Sequence, residues 1–218
     1  AKVWSTASGE CRRTLDAGRG PVSAASFSLD GSLVLTAYVD GTAKVWNTES
    51  GECLRVMEGH CNVIAFSPDG ALVLTSTAAG TAVLWSVDSG ENLRTLEGHT
   101  APLVTASFPA GGSMVLATCH DCTAKLWGEA SGECIMTFEG HTLAVTSAEM
   151  SPDGERVVTA SFDRTAKVWS AESGECIRTL EEHAGGLNSA AFSPDGARLL
   201  TASDDGTAKL WCRERGEC

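Results

Sequence analysis

Six tryptophans divide the chain at nearly constant intervals, and this spacing constrains the fold more than any other feature. The successive intervals are 42, 39, 42, 42 and 42 residues, between Trp4, Trp46, Trp85, Trp127, Trp169 and Trp211. Self-similarity with a period of about 40–45 residues indicates one supersecondary unit repeated along the chain. We therefore predict a single domain over residues 1–218, with about five repeats of about 42 residues. Both ends fall inside a repeat, and we expect the chain to be a piece of a longer protein.

Each repeat divides into four short strands. In residues 133–170 the segments ECIMTF, LAVTSAEM, ERVVTAS and TAKVW are separated by the turn sequences EGHT, SPDG and FDR. Proline and glycine in SPDG suit a tight turn, and no segment with helical periodicity is long enough to compete. We predict an all-β fold of four-stranded antiparallel units, which bury their faces by stacking on each other.

The motifs of one repeat resemble those of the WD-repeat family of β-propellers. The resemblance is carried by the Gly-His pair, by SPDG, and by a strand that ends in tryptophan, and it covers essentially the whole chain. The aspartate that follows tryptophan in the family is absent throughout; Asn47, Ser86, Gly128, Ser170 and Cys212 stand there instead. The resemblance implies blades arranged as in a propeller.

The resemblance also implies a polar tetrad in each blade, formed by histidine, serine or threonine, aspartate and tryptophan. Two repeats hold complete sets, namely His141, Thr159, Asp163 and Trp169, and His183, Thr201, Asp205 and Trp211. Three sets lack one member: Gly18 stands with Thr36, Asp40 and Trp46; Ala79 with His60, Thr75 and Trp85; Ala117 with His99, Asp121 and Trp127. Buried polar groups of this kind must be satisfied together or they destabilise the fold.

The single 39-residue interval points to one shortened loop. His60 precedes Phe66 by six residues, whereas His141 precedes Met150 by nine. The missing residues therefore belong to the loop that enters the inner strand. We predict that the repeat ending at Trp85 is the least stable, as residue-resolved hydrogen exchange would reveal.

The number of inner strands limits the number of blades. Five inner strands are expected, beginning near Val22, Asn62, Leu103, Ala144 and Leu187. We predict five blades, with residues 1–15 pairing with residues 187–203 as a clasp. The alternative is an open ring or part of a larger one, completed by missing residues or by another chain. Its open edges would offer sites of self-association.

Charge and cysteine content limit the classes of partner. The chain has 16 basic and 28 acidic residues and a net charge of −12, which opposes binding to nucleic acid. No apolar stretch approaches the length of a membrane span. Five of the nine cysteines share one repeat position (Cys11, Cys53, Cys134, Cys176 and Cys218), and we expect them to be reduced, half-buried packing residues. We therefore expect a cytoplasmic location, with the nucleus as the alternative.

Catalysis and metal binding receive little support. Histidine and aspartate recur in each repeat that has a complete tetrad, whereas an active site would occur once. We therefore expect neither enzymatic activity nor a cofactor. The weak metal candidates are Cys119, His120 and Cys122, but no second CxxC motif accompanies them, and drift in a loop explains them better.

Positions that differ between the repeats are the candidates for partner binding. They are Val39, Ala78, His120, Phe162 and Asp204 before the turn aspartate, and Pro102 and Leu143 at the start of inner strands. The resemblance implies that they lie around the central channel, although drift among recent copies would also produce such variation. We predict a non-catalytic scaffold that binds a protein or peptide. The alternatives are a regulatory domain of a larger signalling nucleotide hydrolase and a structural component of a large assembly.

Overall fold

The computed structural model describes residues 1–16, 20–58, 63–109 and 111–212, which form 21 β-strands and no helix. In chain order the strands are β1 (Lys2–Trp4), β2 (Cys11–Thr14), β3 (Val22–Phe27), β4 (Leu33–Tyr38), β5 (Thr42–Asn47), β6 (Cys53–Glu58), β7 (Ile64–Phe66), β8 (Leu72–Ser76), β9 (Ala82–Ser86), β10 (Asn92–Leu96), β11 (Leu103–Ser107), β12 (Met114–Cys119), β13 (Ala124–Gly128), β14 (Cys134–Phe138), β15 (Val145–Met150), β16 (Arg156–Ser161), β17 (Ala166–Ser170), β18 (Cys176–Leu180), β19 (Leu187–Phe192), β20 (Arg198–Ser203) and β21 (Ala208–Cys212). None of the described residues belongs to a helix that could cross a membrane.

Neighbouring strands pair in chain order and form separate antiparallel sheets. Four sheets have four strands each, β3–β6, β7–β10, β11–β14 and β15–β18, while β19–β21 form a three-stranded sheet and β1–β2 a two-stranded one. The prediction of an all-β fold built from four-stranded antiparallel blades, as in a β-propeller, is confirmed. Five of these sheets contain an inner strand.

Turn residues set the register inside each sheet. In the SPDG turn of the β15–β18 sheet, the hydroxyl of Ser151 donates to Asp153 at 2.5 Å, and the amide of Gly154 donates to the carbonyl of Ser151 at 2.8 Å. Gly154 has a φ of 74°, a conformation that favours glycine. The turn joins β15 to β16 and brings Met150 opposite Val157 and Ala148 opposite Thr159.

The hydrophobic core is divided into clusters, and each cluster lies between two successive sheets. In one cluster, Leu116 and Leu126 of one sheet pack against Val157 and Trp169 of the next. Equivalent residues form the other interfaces. Because β16 has neighbours on both faces, it is buried almost throughout and its sequence RVVTAS is apolar on both sides.

Arginines of the outer strands connect sheets in a way that the sequence did not indicate. The Nε atom of Arg13 donates to the carbonyl of Glu49 at 2.6 Å, and that of Arg55 donates to the carbonyl of Asp88 at 3.0 Å. In the third such interface, Arg94 donates to the carbonyl of Ala130 at 3.3 Å. Each bond links the outer strand of one sheet to a hairpin of the following sheet.

Among the described residues, the first and last strands do not pair with each other. Strand β20 lies between β19 and β21, with Leu199 opposite Trp211, so β21 occupies the edge that the predicted clasp requires. Strands β1 and β2 instead form their own sheet, and Leu15, which follows β2, packs in one cluster with Val34 and Trp46 of the next sheet. The clasp is therefore absent from the described residues. Pairing across a short turn loses less chain entropy than pairing between the two ends of the chain.

The cysteines of the shared repeat position are more exposed than expected. Cys11, Cys53, Cys134 and Cys176 are exposed free thiols, while Cys218 lies outside the described residues. The expectation of half-buried side chains was wrong because these residues begin the outermost strand of each sheet. No other strand of residues 1–16, 20–58, 63–109 and 111–212 pairs with that edge.

Candidate functional site

A complete polar network supports the β15–β18 sheet. The Nδ1 atom of His141 lies 2.8 Å from the carboxylate of Asp163, and its Nε2 atom lies 2.7 Å from the hydroxyl of Thr159. The indole of Trp169 donates to the same hydroxyl at 2.8 Å. Every polar side-chain atom of this buried hydrogen-bond network therefore has a partner, as a stable interior requires.

The same network recurs one sheet later. His183 lies 2.8 Å from both Asp205 and Thr201, and the indole of Trp211 donates to Thr201 at 2.9 Å. Each network ties the loop before an inner strand to the turn between the second and third strands. The networks thereby fix the loops that form one edge of these sheets.

Protonation in these networks follows from burial and hydrogen bonding. Burial lowers the pKa of His141 below its ordinary value, although its bond to Asp163 opposes the shift. For Asp163, burial disfavours ionisation, but hydrogen bonds from the Thr165 hydroxyl and the Thr142 amide, with that of His141, outweigh it and lower the pKa. The arrangement favours a neutral imidazole beside an ionised carboxylate.

The network of the β11–β14 sheet is incomplete at one buried atom. His99 keeps a 2.8 Å contact with Asp121, but its Nε2 atom has no hydrogen-bond partner because Ala117 replaces threonine. The indole of Trp127 donates instead to the carbonyl of Glu97 at 3.2 Å. The indole of Trp127 thus bonds to a different acceptor, whereas Nε2 of His99 has none.

A tyrosine supplies a partner in the first complete sheet, β3–β6. The indole of Trp46 donates to Thr36 at 2.8 Å, and that hydroxyl donates to the phenolic oxygen of Tyr38 at 3.2 Å. Tyr38 stands at the position of Ser161 and is buried, which raises its pKa. Gly18 lies outside the described residues. Tyr38 could have been noted in the sequence as a substitution in this column, but its bond to Thr36 depends on the fold.

The sheet that contains Trp85 lacks the turn aspartate of the network. Trp85 donates to Thr75 at 2.9 Å, while Ala79 provides no carboxylate and the hydroxyls of Thr77 and Thr81 bond to each other at 2.6 Å. Its inner strand β7 has three residues, and Trp85 is only partly buried. His60 lies outside the described residues. That this repeat is the least stable stays a prediction.

The candidate metal ligands do not gather in one place. Among the described residues, Cys119 groups with His99 and Asp121, whose potential ligand atoms lie within 4.8 Å of one another, and not with His120 or Cys122. The Cys119 thiol donates to the carbonyl of Ala101 at 3.0 Å and accepts from the amide of Asp121 at 3.3 Å. Burial raises the pKa of Cys119 to about 11, which disfavours the thiolate that a metal requires.

Serines make the same bonds in the neighbouring sheet. The Ser161 hydroxyl donates to the carbonyl of Leu143 at 3.0 Å and accepts from the amide of Asp163 at 3.1 Å. Cys119 therefore acts as a structural substitute for serine. The thiol of Cys122 points to the carbonyl of His120 at 3.8 Å.

The variable turn residues lie beside the entries to the inner strands. The amide of Phe162 donates to the carbonyl of Ala144 at 3.1 Å, and the amide of His120 donates to that of Pro102 at 3.2 Å. Val39 and Asp204 make the equivalent bonds in their sheets. All seven candidate residues are exposed: Val39, Ala78, Pro102, His120, Leu143, Phe162 and Asp204. We call the edge that these residues form the turn face.

Two exposed apolar residues of the turn face flank the β15–β18 sheet, and one of them reaches the next sheet. Phe162 is 43% exposed and Leu143 is 51% exposed. The ring of Phe162 extends towards the next sheet, where a Cβ atom on Gly186 would lie only 2.9 Å from its Cδ1 atom. Beyond Gly186, the exposed carboxylate of Asp204 accepts a hydrogen bond from the side chain of Asn188 at 2.7 Å. An apolar area and a carboxylate thus lie side by side.

Comparison with known proteins assigns most of the chain to repeats of one family. A family model described as "WD domain, G-beta repeat" matches residues 9–47, 51–86, 90–128, 132–170 and 174–212. No curated protein matches the chain. The matched segments begin before an outer strand and end with the tryptophan strand, in agreement with the repeat observed in the structure.

Proposed function

The chain belongs to the WD-repeat family, and from this premise we propose that it is an interaction scaffold that binds a protein or peptide on its turn face. Repeats of this family generally mediate protein–protein interactions and are typically non-catalytic. The observation that supports the site best is the exposed pair Leu143 and Phe162 beside Asp204. Aromatic side chains such as Phe162 are enriched in the cores of interfaces, where a few residues carry most of the binding energy.

The surface favours a partner of defined chemistry. An apolar side chain of the partner would cover Leu143 and Phe162, and a neighbouring lysine or arginine would pair with Asp204. The net charge of −12 would also speed the approach of a basic segment. We therefore propose a peptide segment in which a large apolar residue is next to a basic residue.

The histidine–aspartate pairs serve stability in this proposal. His99, His141 and His183 have fully buried side chains and make the same contact to aspartate in three sheets. A catalytic pair would need access to a substrate and would occur once. The pairs hold the turn face in shape and take no part in chemistry.

Other features agree with a protein partner in a reducing compartment. The excess of acidic residues opposes contact with nucleic acid or with an anionic membrane surface. The exposed thiols of Cys11, Cys53 and Cys134 are free. We propose a cytoplasmic location, because exposed thiols persist where the environment is reducing.

Peptide selection provides the test. Peptides are selected from a random display library on the immobilised chain, and their affinities for wild type and variants are measured. Phe162→Asp should weaken the selected peptides at least about tenfold, because it places a charge in the apolar area. The selected sequences should combine a large apolar residue with lysine or arginine.

Ile177→Asp is the matched control. Ile177 is 48% exposed, similar to Phe162, but lies on the outer strand β18 and away from the turn face. It should leave affinity unchanged. Equal affinity of the peptides for wild type and Phe162→Asp would overturn the proposed site, as would selection of acidic peptides.

A further inference from the structure

One face of the last sheet is exposed within the part of the chain that the structure describes. Leu200 in β20 is 50% exposed and Leu210 in β21 is 51% exposed. Their equivalents one sheet earlier, Val158 and Val168, are 0% and 4% exposed. Ala202 and Ala208 lie on the same face and are also more exposed than their buried equivalents in β16 and β17. We call this surface the tail face.

The other sheets show what covers a face of this kind. Val158 and Val168 pack against Leu199 and Trp211 of the following sheet. Leu116 and Leu126 pack in the same way against Val157 and Trp169. At each of these interfaces, the covering surface is the side of the next sheet that carries its tryptophan.

In the first sheet, the equivalent tryptophan has no other described sheet packed over it. Trp4 is 56% exposed, whereas Trp46, its equivalent in the next sheet, is 4% exposed. Trp4 pairs with Cys11 across the sheet, as Trp46 pairs with Cys53, so the two tryptophans occupy the same strand position. The amine of Lys2 lies 5.8 Å from the centre of the Trp4 ring. We call this surface the head face.

We propose that the tail face of one molecule binds the head face of a second copy of this chain. The contact would continue the series of sheet interfaces within the chain, because Trp4 would pack on Leu200 and Leu210 as Trp211 packs on Val158 and Val168. The chain carries both halves of the contact, and both are exposed in the same molecule. Because the two faces differ, the contact is head to tail and adds copies in a row.

Two other arrangements would cover the tail face differently. Two tail faces could pair with each other, which would give a closed dimer that does not need Trp4. Alternatively, the head face could fold back onto the tail face of the same molecule, which would give a monomer. The proposal predicts neither result, and the following experiment separates the three.

Light scattering after size-exclusion chromatography tests the contact across a dilution series. The wild-type mass should rise with concentration above the 22.7 kDa of one chain. Leu210→Asp, which damages the tail face, and Trp4→Ser, which damages the head face, should each remain at 22.7 kDa. An equal mixture of these two variants should form a dimer and nothing larger, because it retains one intact tail face and one intact head face.

Val56→Asp is the control, since Val56 is 52% exposed on β6 and belongs to neither face. It should associate like wild type. Tryptophan fluorescence and circular dichroism verify folding, and Leu200→Asp replaces Leu210→Asp if the latter unfolds. The proposal is overturned if wild type stays at 22.7 kDa at every concentration. Persistence of dimers in Trp4→Ser alone, or failure of the mixture to pair, would also overturn it.

Discussion

The β15–β18 sheet, which contains Trp169, and the β11–β14 sheet, which contains Trp127, have the same packing but different polar networks. Both tryptophans are almost fully buried, at 2% and 1% exposure, and both sheets pair their strands in the same register. Among the four tetrad positions they differ at one, where Thr159 in one sheet corresponds to Ala117 in the other. The sheet therefore forms without this hydroxyl, which determines whether the histidine has a partner and which acceptor the indole uses.

The largest expected effect is the loss of histidine from the complete network. His141→Ala removes one hydrogen-bond partner from Asp163 and one from Thr159 in a buried site, and it should lower the free energy of unfolding by about 3 kcal/mol. His99→Ala should cost about half as much, because the Nε2 atom of His99 makes no hydrogen bond to lose. Chemical denaturation measures both variants. A greater loss for His99→Ala would contradict the comparison.

A smaller effect is expected from restoring the missing hydroxyl. Ala117→Thr supplies a partner for Nε2 of His99 and should raise the free energy of unfolding by about 1 kcal/mol, as measured by the same denaturation. Ala117→Val is the matched control, since it adds the same volume without a hydroxyl. If valine stabilises as much as threonine, packing and not the hydrogen bond separates the two sheets.

The smallest effect is expected from acid near neutral pH, and it should be shared by both sheets. Burial lowers the pKa of His99 and of His141 below 6.5, so the unfolded chain takes up protons first as pH falls. Stability contributed by the neutral histidines is complete above pH 6.5 and decreases as pH falls below it. Denaturation at a series of pH values measures this trend. Greater stability at pH 5 than at pH 7 would contradict it.

The aspartates extend the acid response to lower pH. Hydrogen bonds outweigh burial and lower the pKa of Asp121 from 3.8 to about 2, and the pKa of Asp163 is lowered in the same way. The stability that the carboxylates contribute is present above pH 3.8 and is lost as pH falls towards 2. In the same pH series, the His141→Ala variant should lose less stability below pH 6.5 than wild type, because one of the buried histidines is absent.

Features repeated along the chain could be predicted from the sequence. The tryptophan interval located the strands, and register along the repeats identified the residues that join His141 and Asp163 to Trp169. The same comparison identified Ala117 as the defect beside His99. Such predictions succeed because each repeat places the same side chain in the same local environment.

Features that depend on a particular neighbour could not be predicted in this way. The hydrogen bond between Thr36 and Tyr38 depends on where the fold places the tyrosine ring. Cys119 takes the place of a serine whose hydrogen bonds are visible only in the structure. The exposure of the cysteines at the shared repeat position also could not be predicted from the sequence. A repeated position reveals its strand, but not whether another strand covers it.

The sequence by itself determined the period, the strands and the complete polar networks, because these depend on short-range pairing and on side-chain patterns that recur. Only the tertiary structure decided how the first and last strands pair. In the structure β21 pairs with β20, β1 and β2 form a separate sheet, and Trp4, Leu200 and Leu210 remain exposed. The physical reason is that a short turn closes at little entropic cost, whereas joining the two ends requires contacts between distant residues. Burial of a repeated residue therefore depends on whether a neighbouring sheet is present to cover it.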